Sequence, residues 1–208
     1  FGLWSEILDL EQPADTDLYV TTHALLYYAK AVAYANLHRH AEAEEAAKSF
    51  TDAYARVPDT RLLFNNTARD VLAVAEAMMQ GELSFKAGDH QDGLAHLRRA
   101  VALEDTLMYE EPWAWPQPTR HALGALLMEA GNHAEAEAVY RADLGLDGKL
   151  PRPCQHRRNV WALHGLHECL LRRGETLERP HVELLLQQAT ARADIPIKAS
   201  CLCRHHAA

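Results

Sequence analysis

Three glycines, Gly88, Gly131 and Gly174, follow one another at intervals of 43 residues. The chain around them repeats its layout as well. "RHAEAEEAAKSF" at 39–50 and "NHAEAEAVYRADL" at 132–144 share the run His-Ala-Glu-Ala-Glu, and "DHQDGLAHLRRAV" at 89–101 has the same arrangement. Between these points Ala, Leu, Glu and Arg fill long stretches with apolar residues three and four apart, which predicts helix, and no alternating apolar strand bounded by turn residues stands out. A period of this length made of helical stretches implies stacked helical hairpins, each unable to bury its apolar face without neighbours. The expected fold is therefore all-α: an α-solenoid of stacked antiparallel helical hairpins.

Within a unit, each position follows from what a hairpin needs. Gly88, Gly131 and Gly174 permit the tight turn between two helices because glycine accepts positive φ at little cost. Seven residues earlier stand Gly81 and Gly124, and five residues later Gly93 and Ala136, with Ala43 five after His38 in the first unit, small residues that let helices approach closely. This pattern resembles the tetratricopeptide repeat, with Gly124, Gly131, Ala136 and Tyr140 at that family's glycine, turn, alanine and aromatic positions. The family's unit is about 34 residues; these units are longer, with Pro-rich connections. Ala31 and His38 replace both glycines in the first unit, and Pro180 interrupts the last, whose second helix is expected to restart at "RPHVELLLQQATARA".

The expected organisation is one repeat domain over 1–208, with a partial unit at 1–18, units at 22–57, 66–107, 117–148 and 158–194, and a tail at 195–208. "FGLWSEILDL" looks like a turn glycine followed by a second helix without its first, so the chain is expected to begin inside a longer array. The ending "ADIPIKASCLCR" resembles the ends of uncharacterised microbial proteins of the tetratricopeptide type.

Composition narrows the partners. Lys+Arg 21 against Asp+Glu 29 gives −8, and basic residues run no further than pairs such as Arg157-Arg158 and Arg172-Arg173, which argues against nucleic acid. The most apolar stretch, "HALLYYAKAVAYANL", is broken by Lys30 and is too short to cross a bilayer. Four cysteines are too few for a disulfide scaffold in a chain of 208 residues, so a cytoplasmic location is expected. Thirteen histidines leave metal binding or pH sensing open.

The resemblance implies that the first helices of the units line a concave groove. Counting back from each turn residue, ten positions before it stand Tyr28, Met78, His121 and His164; six before, Val32, Glu82, Ala125 and Glu168; three before, Ala35, Phe85, Met128 and Leu171. Trp161 stands thirteen before the last turn. With Arg120 beside them, Met78, Glu82, Phe85, His121, Trp161, His164 and Glu168 form the candidate lining, suited to a peptide, a partner protein or a small polar ligand. No catalytic residue is assigned, because neither a nucleophile nor a phosphate-binding loop accompanies them.

Two segments add alternatives. "MYEEPWAWPQPTRH" at 108–121 is either a stiff contact surface carrying Trp113 and Trp115 or a hydrophobic plug that fills the longer repeat. The tail places Cys201 and Cys203 near His205 and His206, ligands suited to zinc or copper, and it has the reach to fold back towards His164 or His121. His164-x-x-His167-x-Cys169 is not a three-ligand motif, since at about 100° per residue Cys169 points away from both histidines. The leading expectation is a repeat scaffold that binds a peptide, a protein partner or another copy of itself. The alternative is a metalloprotein with His121, His164, Cys201 and Cys203 as ligands.

Overall fold

A computed structural model describes residues 2–204. Among them are nine α-helices and one small β-hairpin, so the protein is all-α in class. The chain divides into two compact units, Phe1–Pro116 and Gln117–Ala208. Among the described residues no helix is long and apolar enough to cross a membrane.

The first unit holds α1 (Trp4–Leu8), α2 (Val20–Asn36), α3 (His40–Ala55), β1 (Leu62–Leu63), β2 (Asn66–Thr67), α4 (Ala68–Lys86) and α5 (His90–Glu104). The second holds α6 (Thr119–Glu129), α7 (His133–Asp143), α8 (Val160–Arg172) and α9 (Arg179–Thr190), with a 3-10 turn at Arg152–Cys154. In each unit, successive helices pack as pairs: α2 with α3, α4 with α5, α6 with α7, and α8 with α9. Pairs also meet their neighbours within a unit, through α2 and α4 in the first and through α6, α7 and α8 in the second.

The 43-residue spacing has a backbone cause. Gly88, Gly131 and Gly174 have φ of 98°, 80° and 69°, and His38 takes the same position with φ 58°. At each turn the residue after this one donates its N–H to a carbonyl five residues back: Arg39 to Tyr34 (2.9 Å), Asp89 to Ser84 (3.0 Å), Asn132 to Leu127 (2.8 Å) and Glu175 to Leu170 (2.9 Å). This is the Schellman C-cap, which closes a helix by a left-handed residue and satisfies two orphan carbonyls. Asp89 then also caps the next helix, its carboxylate accepting from the N–H of Asp92 at 3.0 Å. One short turn therefore ends one helix and starts the next.

Small residues set the crossings. A Cβ on Gly81 would stand 2.6 Å from Leu97 Cγ, and one on Gly93 would stand 2.8 Å from the Gly81 carbonyl, so α4 and α5 touch nearly backbone to backbone. Phe50, Leu72, Met78, Met79, Phe85 and Leu97 are buried in the first unit; Leu126, Leu127, Tyr140, Leu166 and Leu170 are buried in the second. After Gly174 the chain departs from the other turns. Pro180 sits in the first turn of α9, where its missing N–H costs nothing.

One short β-hairpin interrupts the helices among the described residues. Leu62 pairs with Thr67 and Leu63 with Asn66, around an exposed Phe64 at φ 51°. Two residues per strand are too few for an alternating pattern to show, and the hairpin is held from elsewhere. The Asn66 amide donates to the Met108 carbonyl at 2.9 Å and to Glu110 Oε1 at 3.0 Å, while the Asn65 N–H donates to Glu110 Oε2 at 2.8 Å.

Candidate functional site

The candidate residues of the first unit belong to its interior. Met78, Glu82 and Phe85 on α4 are 0%, 1% and 2% exposed. Phe85 stacks on His90, ring centroids 4.2 Å apart. Glu82 Oε2 accepts from Asn36 Nδ2 at 3.1 Å, and that amide also donates to the Val32 carbonyl at 3.0 Å. Burial pushes the Glu82 carboxyl up to about 7, against the pull of Asn36 and the Lys86 charge. None of the three presents a surface to a ligand.

The loop before α6 divides the two roles proposed for it. Trp115 is buried and meets Tyr28 edge-on, ring centroids 5.4 Å apart, whereas Trp113 is half exposed. Glu110 is buried as well, with both oxygens accepting from Asn65 and Asn66. Trp115 acts as the plug, and Trp113 keeps the accessible surface.

In the second unit His121 is 4% exposed and Arg120 is also buried. His121 Nε2 lies 3.0 Å from Asp143 Oδ2, and His156 Nδ1 lies 2.8 Å from Asp143 Oδ1. The His156 N–H donates to the Asp143 carbonyl at 2.8 Å, which fixes the loop that carries it. Burial works against the Asp143 charge, but the two imidazoles prevail and hold its carboxyl at about 2. Each imidazole spends a ring nitrogen on this carboxylate, so the cluster ties α6, the end of α7 and the following loop together. Asp143 and His156 belong to no sequence motif, and only their proximity in space reveals them.

The remaining candidates lie on α8, and one of them, Glu168, meets the segment that follows α9. Trp161, His164 and Glu168 are partly exposed. Ala199, Ser200, Cys201 and Cys203 are all buried, at 0%, 3%, 5% and 1% exposure. Three polar ties hold this segment. Tyr140 and Ser200 share a hydrogen bond between their hydroxyls; Gln117 Nε2 donates to Cys201 Sγ at 3.5 Å; and Arg204 Nη1 donates to Glu168 Oε2 at 2.6 Å. Burial disfavours the Glu168 charge, but Arg204, with help from His164 and Arg172, lowers its carboxyl below the usual range.

The Tyr140 hydroxyl reaches the segment through a gap left by two glycines. A Cβ on Gly124 of α6 would stand 2.4 Å from Tyr140 Cζ, and one on Gly165 of α8 would stand 2.2 Å from the same atom. Tyr140 rises from α7, is fully buried, and passes between α6 and α8. Burial pushes its phenol well above the ordinary tyrosine range, so the hydroxyl keeps its proton.

The sulfurs of Cys201 and Cys203 are paired with each other as a disulfide. His205 and His206 lie outside the described residues. His121 turns to Asp143 and His164 lies near Glu168, and among the described residues no group of three or more His, Cys, Asp or Glu is disposed to hold a metal ion. Cys169 is buried, its thiol pushed up to about 12 by burial and by the nearby carboxylates of Glu137 and Glu168, and it donates to Met128 Sδ at 3.2 Å.

No protein-family model, curated protein or solved structure matches this chain.

Proposed function

We propose that this chain is an α-solenoid scaffold of the tetratricopeptide type that binds short peptide segments of a protein partner on the α6/α8 face. One observation carries the reading: residues 199–204 are laid on that face and held by side chains of α7, α8 and the residue before the α6 cap. Such a face already contains what peptide recognition needs. Apolar surface excludes water, and a few fixed polar groups set register. The repeated Schellman turns and the glycine crossings support the scaffold reading, because they close each helix pair at an equivalent turn and let helices pack nearly backbone to backbone.

The test uses the full chain with Arg204→Glu, which sets like charges at Glu168 and loosens the resident segment. A displayed library of random ten-residue peptides is selected on it, and recovered peptides are mapped by hydrogen exchange. Protection of α6 and α8 by several independent peptides is the expected result. No enrichment over a blank surface, or protection confined to other helices, would sink the proposal.

A further inference from the structure

The contacts of the resident segment specify what else would fit its place. The Tyr140 ring is locked between Gly124 and Gly165, so its hydroxyl has a fixed position and sits in a buried setting. A buried hydroxyl left without a partner carries a desolvation penalty. Whatever lies on the face must therefore offer a small hydroxyl or similar group there, as Ser200 does. A second fixed point is Glu168, half buried and bound by a guanidinium four residues further along the segment. Between them the chain turns compactly: the Arg204 N–H donates to the Cys201 carbonyl at 3.3 Å, and the Cys203 N–H donates to Cys201 Sγ at 3.3 Å.

We infer that the α6/α8 face selects a serine followed four residues later by arginine, in a turn, and that residues 199–204 are a resident competitor which a partner's Ser-x-x-x-Arg segment displaces. The inference rests on the peptide-binding reading above. Its charge logic is specific: Glu168 accepts a charge-assisted hydrogen bond from a cation at that point and rejects a carboxylate. The resident segment lowers apparent affinity for a partner by the fraction of time the face is covered.

The test uses full-length protein and fluorescein-labelled synthetic peptides with the sequence of residues 195–204, closed by the Cys201–Cys203 disulfide. Arg204→Glu protein is expected to bind this peptide at least about tenfold more tightly than the wild type does. Peptides with the Ser200 equivalent changed to valine, or the Arg204 equivalent changed to alanine, should each bind at least about tenfold more weakly. Glu168→Arg protein should reverse the preference and favour a peptide with glutamate at the Arg204 position. Circular dichroism checks that both variants stay helical, and either one suffices for the comparison.

If neither variant binds any of these peptides, the peptide-binding reading fails. If they bind all of them equally, that reading stands and the Ser-x-x-x-Arg selection is overturned. If wild type and Arg204→Glu bind the unmodified peptide equally, competition by the resident segment is overturned. A wild-type chain that is dimeric by light scattering, and becomes monomeric with Arg204→Glu, would show exchange between copies and overturn competition within one chain.

Discussion

Gly165→Ala adds one methyl group, and the structure says where it goes. The new Cβ would lie 2.2 Å from Tyr140 Cζ and 2.5 Å from both Cε atoms. Carbon atoms in contact settle at roughly 3.5–4.0 Å, so the ring would have to move by about 1 Å or more. It has no room, because a Cβ built on Gly124 would already meet the ring at 2.4 Å on the other side. Overpacking of this kind costs about 1–3 kcal/mol. Replacing glycine by alanine inside a helix offsets roughly 0.5–1 kcal/mol of that. The net loss is about 1–2 kcal/mol, or a fall of roughly 0.5–1 M in the urea midpoint followed by circular dichroism. The decisive measurement is the same substitution in a Tyr140→Ala background. There the obstacle is gone, only the helical gain remains, and Gly165→Ala should stabilise by about 0.5–1 kcal/mol. A change of sign between the two backgrounds is expected. If Gly165→Ala leaves the midpoint unchanged or raises it in the wild-type background, Tyr140 is not held between α6 and α8 as described.

Asp143 links stability to acid. Its carboxyl is held at about 2 against an ordinary 3.8, so its stabilisation, of order 2 kcal/mol, is complete above about pH 4 and is lost as pH falls towards 2. The urea-midpoint difference between wild type and Asp143→Asn should shrink between pH 5 and pH 2.5; a difference that stays constant refutes the ion-paired cluster. Glu82 has the opposite sign. Burial raises its carboxyl from 4.5 to about 7, so the folded state keeps a proton that the unfolded chain releases, and stability is highest below about pH 4.5 and falls as pH rises through 7. Glu82→Gln retains an acceptor for Asn36 and removes that loss. It should gain on the wild type by up to about 3 kcal/mol between pH 4.5 and pH 8.5, and equal pH profiles would count against a buried, proton-holding Glu82.

How far the sequence reached depends on whether a feature is local. A left-handed turn residue is local, so Gly88, Gly131 and Gly174 could be read directly, and His38 could be recognised by its register alone despite its side chain. The place of a residue on a helix face is also local, which is why Met78, Glu82, Phe85 and His121 could be counted onto one face. Whether that face is covered is not local. Glu82 meets Asn36, 46 residues away; His121 meets Asp143, 22 away; Ser200 meets Tyr140, 60 away. No spacing rule reports such pairs, so residues expected to line open space turned out to be interior, and the tail's partners were invisible.

Gly165 shows the same limit within the repeat itself. Seven residues before Gly174, where the other hairpins have Gly81 and Gly124, stands His167, which is only half buried, while the gap is made two residues earlier. The reason is that the gap serves Tyr140 of the preceding hairpin and not the hairpin to which Gly165 belongs. A repeat pattern compares each unit with itself shifted along the chain, so it finds the glycines that a hairpin needs internally. It passes over a glycine that one hairpin supplies for its neighbour. That neighbour contact carries the Tyr140 hydroxyl through to Ser200, 60 residues along the chain, and so ties the segment after α9 to the preceding hairpin.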